Sequence, residues 1–238
     1  PHVALSGLNL TVQPGEFVCV VGPSGCGKST LLNIVGGLDR ELDGQVTMNG
    51  AFPEDVGFMF QEPRLMPWMS VLDNVLLVVP DGLREQARAR AVELLRAMEL
   101  GDVLDAYPGR LSGGMMRRVA LARAFVNEPA LLLMDEPFVS LDSPTANRLR
   151  AMLVAQWQRC QASVLFVTHD LREALALADR ICFLSPSPGR VVLEYTVDLP
   201  RPRDPSGAQL EQLHAQLLAR HPELLAGLPA LREEAAHD

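Results

Sequence analysis

The sequence predicts an α/β protein built on a parallel sheet, with an antiparallel β part and an inserted stretch of helices. Three observations carry this. Two continuous apolar runs, Ala130-Leu131-Leu132-Leu133-Met134 and Ser163-Val164-Leu165-Phe166-Val167, have the character of central strands buried on both faces. A helical segment, about Thr145 to Arg159, separates them, and strands that alternate with helices make a parallel sheet. Thirdly, a strand, a glycine-rich loop and a helix follow one another between Phe17 and Val35.

That loop is Gly22-Pro23-Ser24-Gly25-Cys26-Gly27-Lys28-Ser29-Thr30. It fits the P-loop pattern, a Gly, four residues, then Gly-Lys-Ser. The glycines allow a tight backbone whose N–H groups face phosphate oxygens. The following helix adds the positive end of its dipole. Lys28 reaches the β- and γ-phosphates, and the Ser29 hydroxyl is a Mg²⁺ ligand. Phe17-Val18-Cys19-Val20-Val21 before it reads as a buried strand, and Leu31 to Val35 continues as helix. A chance glycine-rich turn would not bring these residues and flanks together.

In chain order, residues 3–21 read as a hairpin with its turn at Gln13-Pro14-Gly15-Glu16. Gly44 to Gly50 reads as a short strand between turn glycines. Val56 to Phe60 is another, delivering Gln61 at its end. Pro63 and Pro67 break the pattern, and from about Val71 to Ala124 the reading is helical. Ala87, Ala91, Leu94, Leu95 and Met98 give the stretch Leu83 to Leu100 one apolar face. A further helix starts near Ser112. After the two central strands, Leu171 to Asp179 is helical, and Ile181–Leu184 and Val191–Leu193 are strands. Leu199-Pro200-Arg201-Pro202-Arg203-Asp204-Pro205 is a linker to a tail helix at about Ala208 to Leu218. The expected organisation is a nucleotide-binding core of 1–61 and 126–198, a helical insert at 62–125 and a helical tail at 199–238.

A chain of 238 residues can bury a sizeable core. Its 21 basic and 29 acidic residues leave a net charge of −8, which argues against a nucleic-acid partner. No apolar stretch is long enough to span a bilayer, and no secretory signal is visible. Cys19, Cys26, Cys160 and Cys182 lack metal-ligand spacing and read as reduced cytosolic thiols. The first residue is Pro1, and residues upstream of it are expected.

Two more motifs bear on chemistry. Leu132-Leu133-Met134-Asp135-Glu136-Pro137 places two carboxylates at the end of a buried strand. In P-loop enzymes this is the position of the Mg²⁺-side acid, here Asp135, and Glu136 then stands where it can polarise an attacking water. The same pair also occurs as an ordinary loop start; beside a P-loop the functional reading is favoured. Leu111-Ser112-Gly113-Gly114 opens a helix and makes a second anion site plausible, although alone it would be a helix cap.

With these motifs in place, the chain resembles the ATP-binding subunit of an ATP-binding cassette (ABC) transporter. The order P-loop, Gln61, Leu111 to Gly114, Asp135-Glu136, Ser140-Leu141-Asp142 and Thr168-His169-Asp170 matches over nearly the whole chain. The resemblance implies a P-loop NTPase (RecA-like) core and ATP hydrolysis with Mg²⁺. It implies that Gln61 contacts Mg²⁺ and the attacking water, that His169 contacts the γ-phosphate and that Asp142 lies at a dimer seam. Two ATP would be sandwiched between two copies in a homodimer, one supplying the P-loop and the other Ser112, Gly113 and Gly114. The motion would pass to integral membrane permease subunits docked on the insert, and indirectly to a solute-binding protein. The implied location is peripheral, on the cytoplasmic face of the cell (inner) membrane.

Finer features resemble the nitrate/sulfonate/taurine importer branch. They are Gln61-Glu62-Pro63-Arg64-Leu65-Met66-Pro67-Trp68, Val71-Leu72-Asp73-Asn74-Val75, Ser187-Pro188-Gly189-Arg190, Asp198 to Arg203, and Met115. Met66 and Trp68 are expected to line the groove for a permease helix. The chain departs from that branch at Met116 and Arg117, where Arg then Gln usually stand, and at Val139-Ser140, in place of a small Gly-Ala pair. The family stacks an aromatic residue on adenine. By spacing it would precede Pro1, and residues 1–30 hold no Tyr or Trp. The alternatives are an ABC exporter ATPase, or a soluble ABC ATPase acting on ribosome or DNA. A non-hydrolysing cassette disagrees with Lys28, Asp135, Glu136 and His169.

Overall fold

A computed structural model describes residues 3–49 and 55–222. In chain order the elements are β1 (Phe17–Val21), α1 (Lys28–Val35), β2 (Val56–Met59), α2 (Val71–Leu76), α3 (Arg84–Ala97), α4 (Gly113–Phe125), β3 (Leu131–Asp135), α5 (Ser143–Cys160), β4 (Ser163–Thr168), α6 (Leu171–Leu177), β5 (Arg180–Leu184), β6 (Val191–Thr196) and α7 (Ala208–Arg220). The described residues form two compact units. The first holds 3–11, 17–31 and 167–222; the second holds 12–16, 32–49 and 55–166.

In the first unit the strands run in the order β1-β5-β6. β1 and β5 pair in parallel, with Val18 opposite Arg180 and Val21 opposite Phe183. All five side chains of β1 are fully buried. That is the burial pattern of a strand covered on both faces. β6 pairs antiparallel to β5 and alternates half-buried with exposed residues, as a one-sided strand must. α7 packs on α6, burying Leu210, His214 and Leu217 at helical spacing.

In the second unit β2, β3 and the first part of β4 are neighbours in that order. α2, α3 and α4 pack against one another, and α4 also packs on β2. The approach is close: a side chain at Gly57 would come within 3.0 Å of the Ala124 carbonyl oxygen. Buried Leu72, Leu94, Leu95 and Leu121 join these helices. Each such leucine contributes about 2 kcal/mol over an exposed one. α5 buries Ala146, Leu149, Leu153 and Trp157 along one stripe and ends on Gln161 at φ 52°.

Two expected strands are not formed. Residues 3–12 make only a bridge between Leu5 and Gly189. Gly7 at φ 60° turns the chain out of the run, and its Ala4 and Ser6 neighbours spend their backbone bonds on Gly189. The turn at 13–16 is present, closed by Glu16 N–H to the Gln13 carbonyl at 3.0 Å. Gly44 to Asn49 has only a single-residue bridge at Met48; Gly50 lies outside the described residues. Gly44, at φ 152°, is in backbone that L side chains rarely adopt.

Candidate functional site

In the first unit, β1 leads straight into the glycine-rich loop. Cys26 is fully buried, with its Sγ where a side chain on Gly22 would sit. Gly25 and Gly27 take φ 78° and 98°, and a side chain on Gly27 would also strike Leu5. α1 begins at Lys28, whose Nζ donates to the Gly22 and Pro23 carbonyls at 2.8 and 2.9 Å. Lys28 is only 6% exposed, while Ser24, Gly25 and Ser29 are open. The loop is thus already wrapped around its lysine.

Behind this loop lies a support from the branch-like segment Ser187-Pro188-Gly189-Arg190. Gly189 N–H donates to the Ala4 carbonyl at 2.8 Å, and Ser6 N–H to the Gly189 carbonyl at 3.0 Å. Gly189 itself lies directly under Cys26: a Cβ there would come within 3.0 Å of the Cys26 carbonyl oxygen. Phe17 is fully buried, so it is closed to stacking on a base.

His169 stands between two anchored residues of the same unit. Thr168 Oγ1 donates to buried Glu173 at 2.7 Å and accepts from Asp170 N–H at 3.0 Å. The Asp170 carboxylate caps α6, accepting from Arg172 and Glu173 N–H groups at 2.8 and 3.3 Å. The far end of α6 is held by the linker. Arg203 donates to the Leu175, Ala178, Val197 and Leu199 carbonyls. Arg201 donates to the Leu177 carbonyl and pairs with Asp179, which accepts from Phe17 N–H at 2.9 Å. Burial first, then the charge of Arg201, lowers the Arg203 pKa. Arg172 grips Glu211 of α7 with two bonds.

The second unit carries the other motif residues. Gln61, exposed, follows β2 and Phe60. Phe60 stacks on Phe58, and the Arg64 guanidinium lies 4.1 Å from its ring centroid. Arg123 of α4, 7% exposed, donates to the Pro63 and Arg64 carbonyls at 2.6 and 3.0 Å. Arg117, also on α4, donates to the Pro137 carbonyl at 2.6 Å and the Gln61 carbonyl at 3.4 Å. Asp135 is the last residue of β3, and Glu136 takes φ 42°. A left-handed, non-glycine backbone of this kind costs about 1–3 kcal/mol and collects at functional positions.

Ser112 caps α4, its Oγ accepting from Met115 N–H at 3.2 Å. Ser112 and Gly113 are exposed; a side chain on Gly114 would press on Thr145 Cγ2 at 3.0 Å. Asp142 caps α5 through Thr145 N–H at 3.0 Å and Thr145 Oγ1 at 2.8 Å. Those bonds, the backbone one first, hold its carboxyl below the usual range. The loop and His169 therefore fall in one unit, and Gln61, Ser112 to Gly114, Asp135, Glu136 and Asp142 in the other.

A family model described as ABC transporter matches residues 5–139, more than half of the chain. The chain belongs to the ABC transporter family. An aliphatic sulfonates import ATP-binding protein, SsuB 2 of Burkholderia cenocepacia, is 47% identical over 233 residues, 95% of this chain and 86% of that protein. SsuB of Granulibacter bethesdensis is 46% identical over 214 residues, 90% of this chain and 86% of that one. SsuB of Bacillus licheniformis is 43% identical over 219 residues, 90% and 85%. Among solved structures, an ATP-binding cassette captured as a dimer in a post-hydrolysis state with ADP and Pi matches with a TM-score of 0.70. It is 32% identical over 83% of this chain and 92% of its own. A dimeric bacterial ABC transporter cassette gives 0.71 at 34% identity, with the same coverage. The α/β P-loop NTPase fold agrees with these neighbours, and the chain is the ATPase subunit of an ABC importer; the exporter and ribosome- or DNA-directed alternatives are not favoured.

Among the described residues, no helix of this cassette is long and apolar enough to cross a membrane. Gly189, Asp179, Glu173 and Arg117 escaped the motif reading as supports. Two of them gave a signal: Gly189 within the branch-like Ser187-Pro188-Gly189-Arg190, and Arg117 as a departure from the branch pattern.

Proposed function

We propose that this ATPase closes as a homodimer around two ATP and works an importer for aliphatic sulfonates or a similar small anion such as nitrate or taurine. The observation that carries the nucleotide site is the preformed loop, with Lys28 Nζ folded onto two of its own carbonyls. A loop in that shape presents its N–H groups to phosphate, and Lys28 exchanges carbonyl oxygens for phosphate oxygens. The Ser29 hydroxyl, the Asp135 carboxylate and the Gln61 amide oxygen are hard oxygen donors, which suits Mg²⁺. Bound there, Mg²⁺ supplies charge neutralisation on the β- and γ-phosphates.

In this reading Glu136 accepts the proton of the attacking water, Gln61 orients that water, and His169 steadies the γ-phosphate. Residues 22–30 hold the nucleotide of their own chain. Ser112, Gly113, Gly114 and Asp142 meet the nucleotide and seam of the second copy. The exposed Ser112 cap and Gly113 are free of packing that would forbid this. The organisation is a core of 1–61 and 126–198, an insert of 62–125 and a tail from 199.

The insert docks the membrane permease subunits, with a solute-binding protein beyond them, at the cytoplasmic face of the membrane. Trp68, 73% exposed, is the anchor that supports this. Asn74, fully buried, presents it: its side chain accepts from Met66 N–H and donates to the Met66, Met69 and Ser70 carbonyls.

The test is Glu136→Gln. It is expected to bind ATP, lose hydrolysis by at least about tenfold and accumulate as an ATP-bound dimer in size-exclusion chromatography. Hydrolysis at the parental rate would remove Glu136 as the base. Lys28→Ala is the companion, expected to lose nucleotide binding.

A further inference from the structure

Met116 and Arg117 stand where the resembling branch carries Arg then Gln, and the function assigned above leaves Arg117 without a role. Its place in the second unit gives it one. Arg117 lies five residues after the Ser112 cap, about one and a half turns into α4. Its guanidinium donates to the Pro137 carbonyl at 2.6 Å and, through the same nitrogen, to the Gln61 carbonyl at 3.4 Å. The group is partly buried, and burial lowers its pKa. A cation drawn out of water needs acceptors in return, and these two main-chain oxygens supply them.

Both oxygens belong to segments that carry the chemistry. Pro137 follows Glu136, which takes the left-handed φ of 42°. That conformation persists only where the surroundings hold it. Gln61 is the residue assigned to the water. One side chain, fixed on the helix that opens with the signature serine, therefore reaches the backbone of both.

We propose that Arg117 is a positioning residue for hydrolysis: it holds the Glu136 and Gln61 segments in one register and ties that register to α4. The inference rests on the ATPase reading. Misplacing a catalytic group by about 1 Å costs on the order of 100-fold, so loss of this tie reads out in kcat. Arg117 bonds to none of the residues assigned to the nucleotide, 22–30, Ser112 to Gly114 and Asp142, so KM for ATP stays within about twofold.

The experiment compares steady-state ATPase kinetics and thermal melting of Arg117→Met, Arg117→Lys and Arg118→Met. Arg118 is the neighbouring guanidinium on the same helix, bonded instead to the Met98 carbonyl and Glu99. The expected result is a kcat fall of about 10- to 100-fold for Arg117→Met at nearly constant KM. Arg117→Lys, which can reach one carbonyl at a time, recovers part of the loss. Arg118→Met keeps the parental kcat. Parental kcat in Arg117→Met, or an equal kcat loss in Arg118→Met, overturns the proposal. Should Arg117→Met not fold, Arg117→Lys and Arg117→Gln carry the test, with kcat ordered parental, Lys, Gln; parental kcat in both overturns it. Parental hydrolysis in Glu136→Gln would instead remove the ATPase assignment of Glu136, so the two failures are told apart.

Discussion

Gly189→Ala tests how the phosphate loop is supported. Gly189 needs no special backbone conformation, so the substitution acts through contact alone. The added Cβ would lie within 3.0 Å of the Cys26 carbonyl oxygen, whereas ordinary contact begins at 3.4 Å. Something must therefore move by at least the difference, 0.4 Å. Gly189 is pinned by its bonds to Ala4 and Ser6, and Leu5 between them lies against Gly27. Cys26 is fully buried and equally confined. The displacement passes into the loop. Overpacking of this kind costs about 1–3 kcal/mol. At about 1.4 kcal/mol per tenfold, the dissociation constant for ATP rises roughly 5- to 150-fold if the loop takes the whole strain. The same range corresponds to a melting temperature lower by about 2–12 °C for a chain of this size. Titration with a fluorescent ATP analogue and a thermal melt read both. Parental affinity with an unchanged melt would refute the contact. A lowered melt with parental affinity would refute its transmission to the phosphate loop.

The remaining predictions concern the insert and the tail. Asn74→Ala leaves the Met66, Met69 and Ser70 carbonyls without their shared donor, and is expected to cost about 2–3 kcal/mol in a denaturant titration. Trp68→Ala is expected to keep the basal ATPase and lose binding to the permease, measured by co-purification. Acidification should release α7 from α6. Burial lowers the His214 pKa, with Arg172 adding to it and Glu211 and Asp170 opposing, so the folded state disfavours its protonation. Its bond to Arg172 lowers the Glu211 pKa. The unfolded state binds more protons in both cases, so stability falls as pH drops through about 6.5 and again below about 4.5. Hydrogen exchange of α7 between pH 7.5 and 5.5 checks the first step. Unchanged exchange protection, or the same pH response in His214→Leu, would remove His214 from the account.

The sequence by itself determined the family, its ATPase activity and most of the architecture. The P-loop, the Asp135-Glu136 strand end, the capped Ser112 helix and the central strands are all written in neighbouring residues. Their signals are local because phosphate is bound by consecutive N–H groups, a cap by a residue three positions away, and a buried strand by its own apolar run. The same locality explains the two failures. Residues 3–12 and 44–49 have strand composition, but a strand needs a partner, and no local pattern names one.

Tertiary structure decided what supports the site. Arg117 meets Gln61 across 56 residues of sequence, and Gly189 meets the loop from the turn between β5 and β6. Arg201 and Arg203 looked like linker punctuation between prolines, yet their guanidinium groups take the last carbonyls of α6 and, through Asp179, the first N–H of β1. A long side chain that bonds to main-chain carbonyls imposes no residue type on its partners. Such contacts therefore leave no spacing to read, and only the folded chain reveals them.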